Sequence, residues 1–149
     1  MSGFRITRLP HGADLPLPAY QSEYASGMDL YACVEGDVII PKGERLLVPA
    51  GVVIALPPGF EGQIRPRSGL ALKHGVTIIN SPGTIDADYR GELKVLLINH
   101  GEDFTLRRGD RIAQLVVARV ERIRWEEVPS IDPAETDRGE KGYGSTGTK

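Results

Sequence analysis

The sequence predicts an all-β protein, a sandwich or barrel of short antiparallel strands. Apolar, β-branched runs recur along the chain at intervals of about ten residues. Turn residues separate these runs, and the chain of 149 residues holds 18 glycines and 11 prolines. Only residues 68–74 could form a helix, of about two turns. No βαβ alternation and no internal repeat is present, which disfavours a doubly wound parallel sheet.

The predicted strands follow one another along the chain. Residues 4–9 alternate apolar and polar side chains, as a half-buried strand does. The region after them is rich in proline and small residues and predicts a loop. We predict further strands at 26–33, on both sides of a turn at 41–43 within 36–48, and at 52–56, 60–65, 76–79, 93–98, 104–106 and 111–120.

Residues 80–92, NSPGTIDADYRGE, join two of these apolar runs as a β-hairpin. Pro82 and Gly83 supply a bend. Asp86 and Asp88 then follow at the end of the apolar pattern, and carboxylates on a rigid strand end suit general-base or metal-linked chemistry. The alternative is a solvated loop with ordinary surface charges, since short patterns of two acids are common.

Length, charge and cysteine content limit the function classes. The chain has the length of one domain. Its formal net charge of −2 argues against tight binding of duplex nucleic acid, which needs a basic face. A few local arginines would still serve a small anionic ligand.

Cys33, the only cysteine, cannot form an internal disulfide, which favours the cytoplasm over a secreted location. We expect this thiol to be a buried, small apolar residue. The longest uncharged stretch, residues 46–60, falls short of the ~20 residues that a membrane helix needs. We therefore expect no membrane partner, and the N-terminus does not resemble a signal peptide.

The composition changes after Trp125, so we divide the chain into a β domain at 1–125 and a flexible arm at 126–149. Within the arm, residues 138–147 read RGEKGYGSTG. Glycines let backbone N–H groups approach an anion, and hydroxyl and guanidinium groups add donors. An aromatic ring offers a stacking face. The alternative is an unstructured tail.

Three further residue groups are candidates for chemistry. Ser68 lies where a helix N-cap would be, and Arg67 beside it can bind a phosphate in a bidentate manner; the alternative is a capped helix beside surface arginines. Gln114 lies inside an apolar run and needs a partner, which could be backbone alone. Asp29 lies two residues after a glycine and could be only a turn former. The three histidines have no zinc-ligand spacing with one another or with the cysteine.

Five segments, in this order, resemble the motifs of the trimeric dUTPase family: residues 26–30, 67–71, 80–92, 108–114 and 138–147. The resemblance implies a jelly-roll domain that forms a homotrimer, with each active site between subunits and covered by the C-terminal arm of a neighbour. It implies hydrolysis of dUTP to dUMP and pyrophosphate, which lowers dUTP and supplies dUMP for dTTP synthesis. It also implies Mg²⁺, held by the three phosphates and by water.

The resemblance also assigns roles to single residues. Asp86 matches the base that activates the water attacking the α-phosphate. Tyr89 matches the ring that packs against the deoxyribose and leaves no room for a 2′-hydroxyl. Asp29 matches an acid that accepts a hydrogen bond from a metal-bound water.

The remaining matched residues bind the substrate. The edge that reads uracil consists of Asn80 with the hairpin backbone of Thr84, Ile85 and Lys94. The phosphate contacts are Arg67, Ser68, Gly69 and Gln114. The groups of the arm are Arg138, Ser145 and Thr146, which clamp the γ-phosphate, and Tyr143, which caps the base.

The chain departs from the family pattern at two positions of the arm. Tyr143 stands where the family usually has Phe, and it keeps the ability to stack. Lys141 stands where the family usually has Gly, so it restricts the backbone and adds a charge near the phosphates. Two alternatives remain: a related enzyme class that deaminates dCTP, and a module that binds nucleotide without catalysis. The hairpin acids and the complete arm favour the hydrolase.

Overall fold

The computed structural model describes residues 3–148 and is built mainly of short strands. Among the described residues there are ten strands and one α-helix. The strands are β1 (Arg5–Arg8), β2 (Met28–Tyr31), β3 (Val38–Ile40), β4 (Arg45–Ala55), β5 (Phe60–Arg65), β6 (Val76–Ile78), β7 (Gly83–Ile85), β8 (Glu92–Asn99), β9 (Phe104–Leu106) and β10 (Arg111–Arg119). The helix α1 spans Ser68–His74, and single 3₁₀ turns occur at Pro10–Gly12 and Pro133–Glu135.

All strand pairs are antiparallel, and they form two four-stranded sheets and one two-stranded sheet. The first sheet has the order β1-β4-β8-β6, the second β2-β10-β5-β7, and β3 pairs with β9. One apolar cluster fills the space between the sheets, with side chains from both. This jelly-roll sandwich confirms the predicted all-β fold class.

The strand β8 shows why the sequence folds this way. Leu93, Val95 and Leu97 are fully buried, whereas Lys94 between them is exposed. Successive side chains of a strand point to opposite faces, so this alternation turns one face of β8 into the core. The pairing of β8 with β4 on one side and β6 on the other places this apolar face at the middle of the first sheet.

The predicted break before residue 52 is wrong, because β4 runs without interruption from Arg45 to Ala55. A shift of register between Pro49 and Val53 absorbs the residues that suggested a turn. Gly51 lies in this irregularity with φ +72°, a conformation that glycine adopts without steric cost. Its N–H donates to the Glu92 carboxylate at 2.9 Å, so the bulge leaves this donor satisfied.

The predicted hairpin is correct for β6 and β8, which pair directly, but it omits β7. The short strand Gly83–Ile85 lies between them in sequence and pairs with β5 in the other sheet. Three residues are too few to show a strand pattern, so this change of sheet could not be predicted from the sequence. The segment from β6 to β8 therefore crosses between the sheets and returns.

The helix α1 has the bounds that the sequence predicts, but the predicted N-cap at Ser68 is wrong. The N-cap is Arg67, in an extended conformation and without a side-chain hydrogen bond, and Ser68 is the first helical residue. Gly75 ends the helix in the left-handed region with φ +67°. Its carbonyl oxygen accepts the N–H of His100 at 2.8 Å, which ties the end of the helix to the end of β8.

Arg108 holds the N-terminal loop against the sandwich. Its guanidinium donates to the His11 carbonyl oxygen at 2.6 Å, to the Asp14 carboxylate at 2.5 Å and to the Val34 carbonyl oxygen at 3.1 Å. This contact holds the pKa of the Asp14 carboxyl below its usual range. Cys33 beneath this loop is buried, as predicted, and its thiol donates to the His11 carbonyl oxygen at 3.2 Å.

The described residues after β10 lie on the surface. From residue 121 to residue 148 all are exposed except Gly142. Five large apolar side chains are among them: Ile123, Trp125, Val128, Ile131 and Tyr143. Residues 1, 2 and 149, which belong to the two predicted segments, lie outside the described residues. No helix within residues 3–148 has the length and apolarity needed to cross a bilayer.

Asn99 is the buried polar residue of the core and satisfies three backbone groups. Its amide nitrogen donates to the carbonyl oxygens of Ile40 and Glu102 at 2.8 and 2.7 Å, and its amide oxygen accepts from the Gly101 N–H at 2.9 Å. Leaving such groups unpaired inside a protein is costly.

We expect Asn99→Ala to lower the free energy of unfolding by about 3 kcal/mol, since it removes all three hydrogen bonds. Urea unfolding at equal protein concentrations measures this loss. His100→Ala is the matched control, because that exposed side chain should cost no more than about 0.5 kcal/mol. Equal effects of the two changes would contradict the role of the amide.

Candidate active site

A tight turn after β7 presents the two acids that the sequence singled out. The Tyr89 N–H donates to the Asp86 carbonyl oxygen at 3.1 Å and closes the turn. The Arg90 guanidinium donates to the carbonyl oxygens of Ala87 and Tyr89 at 2.6 and 2.9 Å. These bonds fix the backbone that carries Asp86, so its carboxylate is held by the turn rather than by a side-chain partner.

Asp86 and Asp88 both line an open cleft of about 600 Å³ beside β5. Both side chains are exposed, and neither carboxylate has a hydrogen-bond or ion-pair partner among residues 3–148. Glu61, Arg90 and Arg122 line the same cleft. The carboxylate of Asp86 is therefore available to a water molecule or a ligand.

Tyr89 lies on the same turn with its ring partly open to solvent, at 42% exposure. Its hydroxyl donates to the carbonyl oxygen of Glu92 at 3.0 Å. One edge of the ring is thus attached to the start of β8, while part of its surface is available for packing against a ligand.

The residues predicted to read uracil lie on different elements. Asn80 is exposed, and its amide nitrogen lies above Gly83. Thr84 and Ile85 belong to β7, whereas Lys94 pairs with Pro49 in the other sheet. The sequence analysis placed these residues on one hairpin, but residues 84 and 85 lie in a different sheet from Lys94, because β7 changes sheet. As the edge strand of its sheet, β7 leaves the backbone groups of its outer side outside the ladder.

A second cluster gathers the predicted phosphate contacts at the junction of β2, β10 and α1. Asp29 forms ion pairs with Arg67 at 3.1 Å and with Arg111 at 3.8 Å. Arg67 also donates to the Arg111 carbonyl oxygen at 3.1 Å. Two guanidinium groups against one carboxylate leave one net positive charge, which suits an anionic ligand.

Gln114 joins this cluster through strand pairing, since it lies opposite Asp29 in the ladder of β10 and β2. Its amide nitrogen donates to the Pro66 carbonyl oxygen at 2.9 Å. A backbone partner for this amide is the alternative that the sequence analysis stated. Ser68 and Gly69 are exposed at the start of α1. A cleft of about 490 Å³ is lined by Gln63, Arg65, Arg67, Ser68 and Gln114, among others.

The turn and the phosphate cluster lie apart on one chain. Gln114 pairs with Arg65, and Ile85 pairs with Gly62, which is three residues away on the same strand. From strand spacings of ~4.8 Å and rises of ~3.3 Å per residue, Gln114 and Ile85 are roughly 14 Å apart. Asp86 follows Ile85, and the two clefts share no lining residue. A single chain thus carries two separate clefts.

The described residues of the C-terminal arm line neither cleft. The Arg138 guanidinium donates to the Lys141 carbonyl oxygen at 3.0 Å, and the Arg138 carbonyl oxygen accepts from the Lys141 N–H at 3.1 Å. The N–H of Ser145 donates to the carbonyl oxygen of Gly142, and Thr146 is exposed. Lys141 needs no left-handed backbone, because positive φ values occur instead at its neighbours Gly139, Tyr143 and Gly144.

Arg111 is a site residue that the sequence analysis did not single out. It begins β10, and its ion pair with Asp29 depends on how β10 pairs with β2. Strand pairing cannot be derived from the local pattern, so the sequence offered only the proximity of Arg111 to Gln114. No group of three potential metal-ligating side chains occurs among residues 3–148.

The comparison with known families decides among the alternatives for this site. A family model described as dUTPase matches residues 13–147. The chain belongs to the dUTPase family. The resemblance that the five motifs indicated is therefore confirmed, and so is the enzyme class, dUTP diphosphatase.

Curated relatives agree over most of the chain. A deoxyuridine 5′-triphosphate nucleotidohydrolase of Syntrophotalea carbinolica is 61% identical over 132 residues, which cover 88% of this chain and 88% of that protein. One of Wolbachia pipientis subsp. Culex pipiens is 54% identical over 143 residues, which cover 95% of this chain and 94% of that protein.

Solved structures share the fold of this dUTPase family member. A Staphylococcus bacteriophage 80alpha dUTPase with dUPNHPP matches with a TM-score of 0.86 and 23% identity, over 97% of this chain and 98% of that chain. A mutant dUTPase from phage phi11 of S. aureus, described with a structural Mg(II) ion, matches with a TM-score of 0.76 and 19% identity, over 85% of this chain and 97% of that chain.

Proposed function

We propose that this dUTPase family member hydrolyses dUTP to dUMP and pyrophosphate by attack of a water, activated by Asp86, on the α-phosphate. The reaction lowers dUTP and supplies dUMP for dTTP synthesis. The observation that carries the proposal is the turn at residues 86–89. It presents the unpartnered carboxylate of Asp86 to an open cleft, and the same turn carries the partly exposed ring of Tyr89.

Asp86 is suited to the role of general base. A base must lie within hydrogen-bond reach of the proton that it takes, on a support that keeps it there. The bonds of Tyr89 and Arg90 fix the turn, and the carboxylate keeps its lone pairs for a water. Asp88 lines the same cleft but lies two residues further along the turn, and we assign it no part in proton transfer.

The phosphate cluster fits a triphosphate with Mg²⁺. The described residues offer no set of three protein ligands, and Mg²⁺ in phosphate sites keeps several waters and binds the substrate phosphates. When bound, the ion would neutralise charge on the phosphates. Asp29 would accept a hydrogen bond from a metal-bound water, and its two ion pairs, one on each carboxylate oxygen, support this role by holding the carboxylate in place. Arg67, Ser68, Gly69 and Gln114 would bind the phosphates directly.

The edge strand β7 supports the choice of base. The outward backbone groups of Thr84 and Ile85 are a fixed set of donors and acceptors, and Asn80 adds an amide beside them. Such a pattern can match the edge of uracil. Tyr89 would then pack against the deoxyribose. Lys94, on the far sheet, would contribute through its side chain or its local backbone and not through pairing with β7.

We further propose a homotrimer with shared active sites. Asp86 and the phosphate cluster lie in separate clefts of one chain, so a complete site requires a second copy. The exposed apolar side chains from Ile123 to Ile131 would gain burial in such an assembly. The arm of residues 126–149 would cover a neighbour's site, with Arg138, Ser145 and Thr146 at the γ-phosphate and Tyr143 on the base.

We place the enzyme in the cytoplasm. Cys33 is a buried free thiol that donates a hydrogen bond to backbone, and such unpaired thiols are typical of a reducing compartment.

The Asp86→Asn variant should lose turnover and keep nucleotide binding, since an amide can hold the water but cannot take its proton. We expect kcat to fall by about 10²–10⁴-fold. Pyrophosphate release from dUTP, dCTP and dTTP measures activity and substrate choice, and calorimetry with a non-hydrolysable dUTP analogue measures binding. Asp88→Asn is the matched control in the same cleft. If that variant lost turnover while Asp86→Asn kept it, the assignment of the base would be refuted.

Co-expression of Asp86→Asn and Arg67→Ala chains tests the shared site. Each variant alone should be nearly inactive. When equal amounts of the two chains assemble at random, about one quarter of all interchain sites would combine an intact Asp86 with an intact Arg67 from another chain. We therefore expect activity to recover above both parents, in a species that sediments as three chains. No recovery in mixed trimers would mean that each chain holds its own site.

Deletion of residues 136–149 should leave a folded domain, because the described part of this segment makes hydrogen bonds only within the arm. Turnover should fall by at least ~100-fold, since phosphate clamping and exclusion of water are lost with it. Circular dichroism and the pyrophosphate assay measure the two outcomes. Arg138→Ala should reproduce part of the loss, whereas Glu140→Ala is the control within the arm. Full activity after truncation would exclude a catalytic role.

Tyr89→Ala tests steric selection of the sugar. Removal of the ring should weaken dUTP use through lost packing and should improve UTP relative to dUTP, because selection here excludes a wrong substrate. The ratio of kcat/KM for dUTP to that for UTP reports this difference. We expect that ratio to fall at least tenfold, a difference of ~1.4 kcal/mol between the two transition states. A lower dUTP rate with an unchanged ratio would make Tyr89 a packing residue only.

A further inference from the structure

The ring of Tyr89 lies over Gly91, and only glycine leaves room for it. A Cβ atom at residue 91 would collide with the Tyr89 hydroxyl oxygen and would lie 2.6 Å from Cζ and 3.0 Å from Cε2. Real Cβ atoms do not approach other heavy atoms so closely, so the ring would have to move. The Tyr89 ring therefore packs directly against the backbone of Gly91.

The glycine is not required by its backbone. Positive φ values occur at eight glycines among residues 3–148, and Gly91 is not one of them. An alanine at residue 91 could therefore keep the path of the chain, and the conflict would fall on the end of the Tyr89 side chain. This distinguishes Gly91 from Gly51, which is needed for its conformation.

A hydrogen bond holds the ring in this position. The Tyr89 hydroxyl donates to the Glu92 carbonyl oxygen at 3.0 Å. Glu92 is itself anchored, since its carboxylate accepts from the Gly51 N–H at 2.9 Å and meets His11 Nε2 at 2.7 Å. The ring is thus fixed to β8 and, through Glu92, to the bulge of β4.

A side chain that excludes a 2′-hydroxyl by steric contact must keep a fixed position. A ring free to rotate about its side-chain bonds would move aside for the larger sugar, and the discrimination would be lost. We propose that Gly91 and the carbonyl group of Glu92 act as positioning elements that lock the Tyr89 ring and thereby set the preference for deoxyribose over ribose. This inference rests on the proposed function, in which the ring faces the sugar.

Two variants remove the two restraints separately. Gly91→Ala fills the space that the ring occupies and keeps the hydroxyl, whereas Tyr89→Phe removes the hydroxyl and keeps the ring. In each we expect the ratio of kcat/KM for dUTP to that for UTP to fall by about threefold to tenfold, a range set by the net worth of one hydrogen bond. The inhibition constant of UTP against dUTP hydrolysis should fall in parallel, which reports binding without turnover of UTP.

Matched controls show whether the effect is local. Gly36→Ala adds a methyl group where nothing lies within 4 Å, and Tyr24→Phe removes a hydroxyl from a side chain that is 88% exposed. Both should keep the wild-type ratio. Thermal unfolding of all four variants separates loss of fold from loss of selectivity, and if Gly91→Ala did not fold, Tyr89→Phe alone would decide.

The decisive step is a double-mutant comparison. In a Tyr89→Ala background, Gly91→Ala should change the ratio by less than about twofold, because it acts only through the ring. A further fall in that background would overturn the inference, and so would an unchanged ratio in both single variants of an active enzyme. Absence of dUTP hydrolysis by the wild-type protein would instead overturn the proposed function, and the inference with it.

Discussion

The pairing of β8 with β4 is the interaction on which the rest of the structure depends. Its apolar face supplies three fully buried side chains, and a polar side chain fixes each end. Asn99 ties the last residue of β8 to the carbonyl oxygens of Ile40 and Glu102. Glu92 ties the first residue to the bulge of β4. The turn that carries Asp86 leads directly into β8, which starts at Glu92. The core of the sandwich therefore determines where the candidate base is held.

The separation of the two clefts follows from the same architecture. The segment between β6 and β8 leaves the first sheet, pairs once with β5, and returns. It therefore carries Asp86 to the edge of the second sheet, whereas Asp29, Arg67 and Gln114 gather around β2 and β10. Neither group of residues can be moved toward the other without breaking strand pairs, and for this reason the proposed mechanism completes the site by assembly.

The strands and the chemistry were predictable from sequence to different extents. Apolar runs bounded by Gly and Pro located most strands, since burial of one face imposes a period that is visible in the sequence. The continuity of β4 was not predictable, because Pro49 and Gly51 resemble a turn until the bulge and the Glu92 carboxylate are known. The change of sheet by β7 was not predictable either, since three residues carry no period.

The candidate site shows the same limit. The motifs gave the residue types, because base, phosphate and sugar each need particular side chains. They included Arg111 but could not give its ion pair with Asp29, which depends on the pairing of β10 with β2. Nor could a motif show that Gly91 lies under the Tyr89 ring, since that local contact depends on the conformation of the Tyr89 side chain and not on a positive φ at the glycine.

The arm and the turn represent two ways of holding functional groups. The turn is fixed before any ligand arrives, by hydrogen bonds of Tyr89 and Arg90 and by the anchored Glu92. The described arm makes no hydrogen bond to the sandwich, so nothing in the single chain favours its closed position. A conformational change can be driven only by contacts that differ between its two states. In the proposed mechanism those contacts come from the γ-phosphate and the uracil ring, so the arm would close in response to the substrate. The rigid turn, by contrast, would select deoxyribose over ribose.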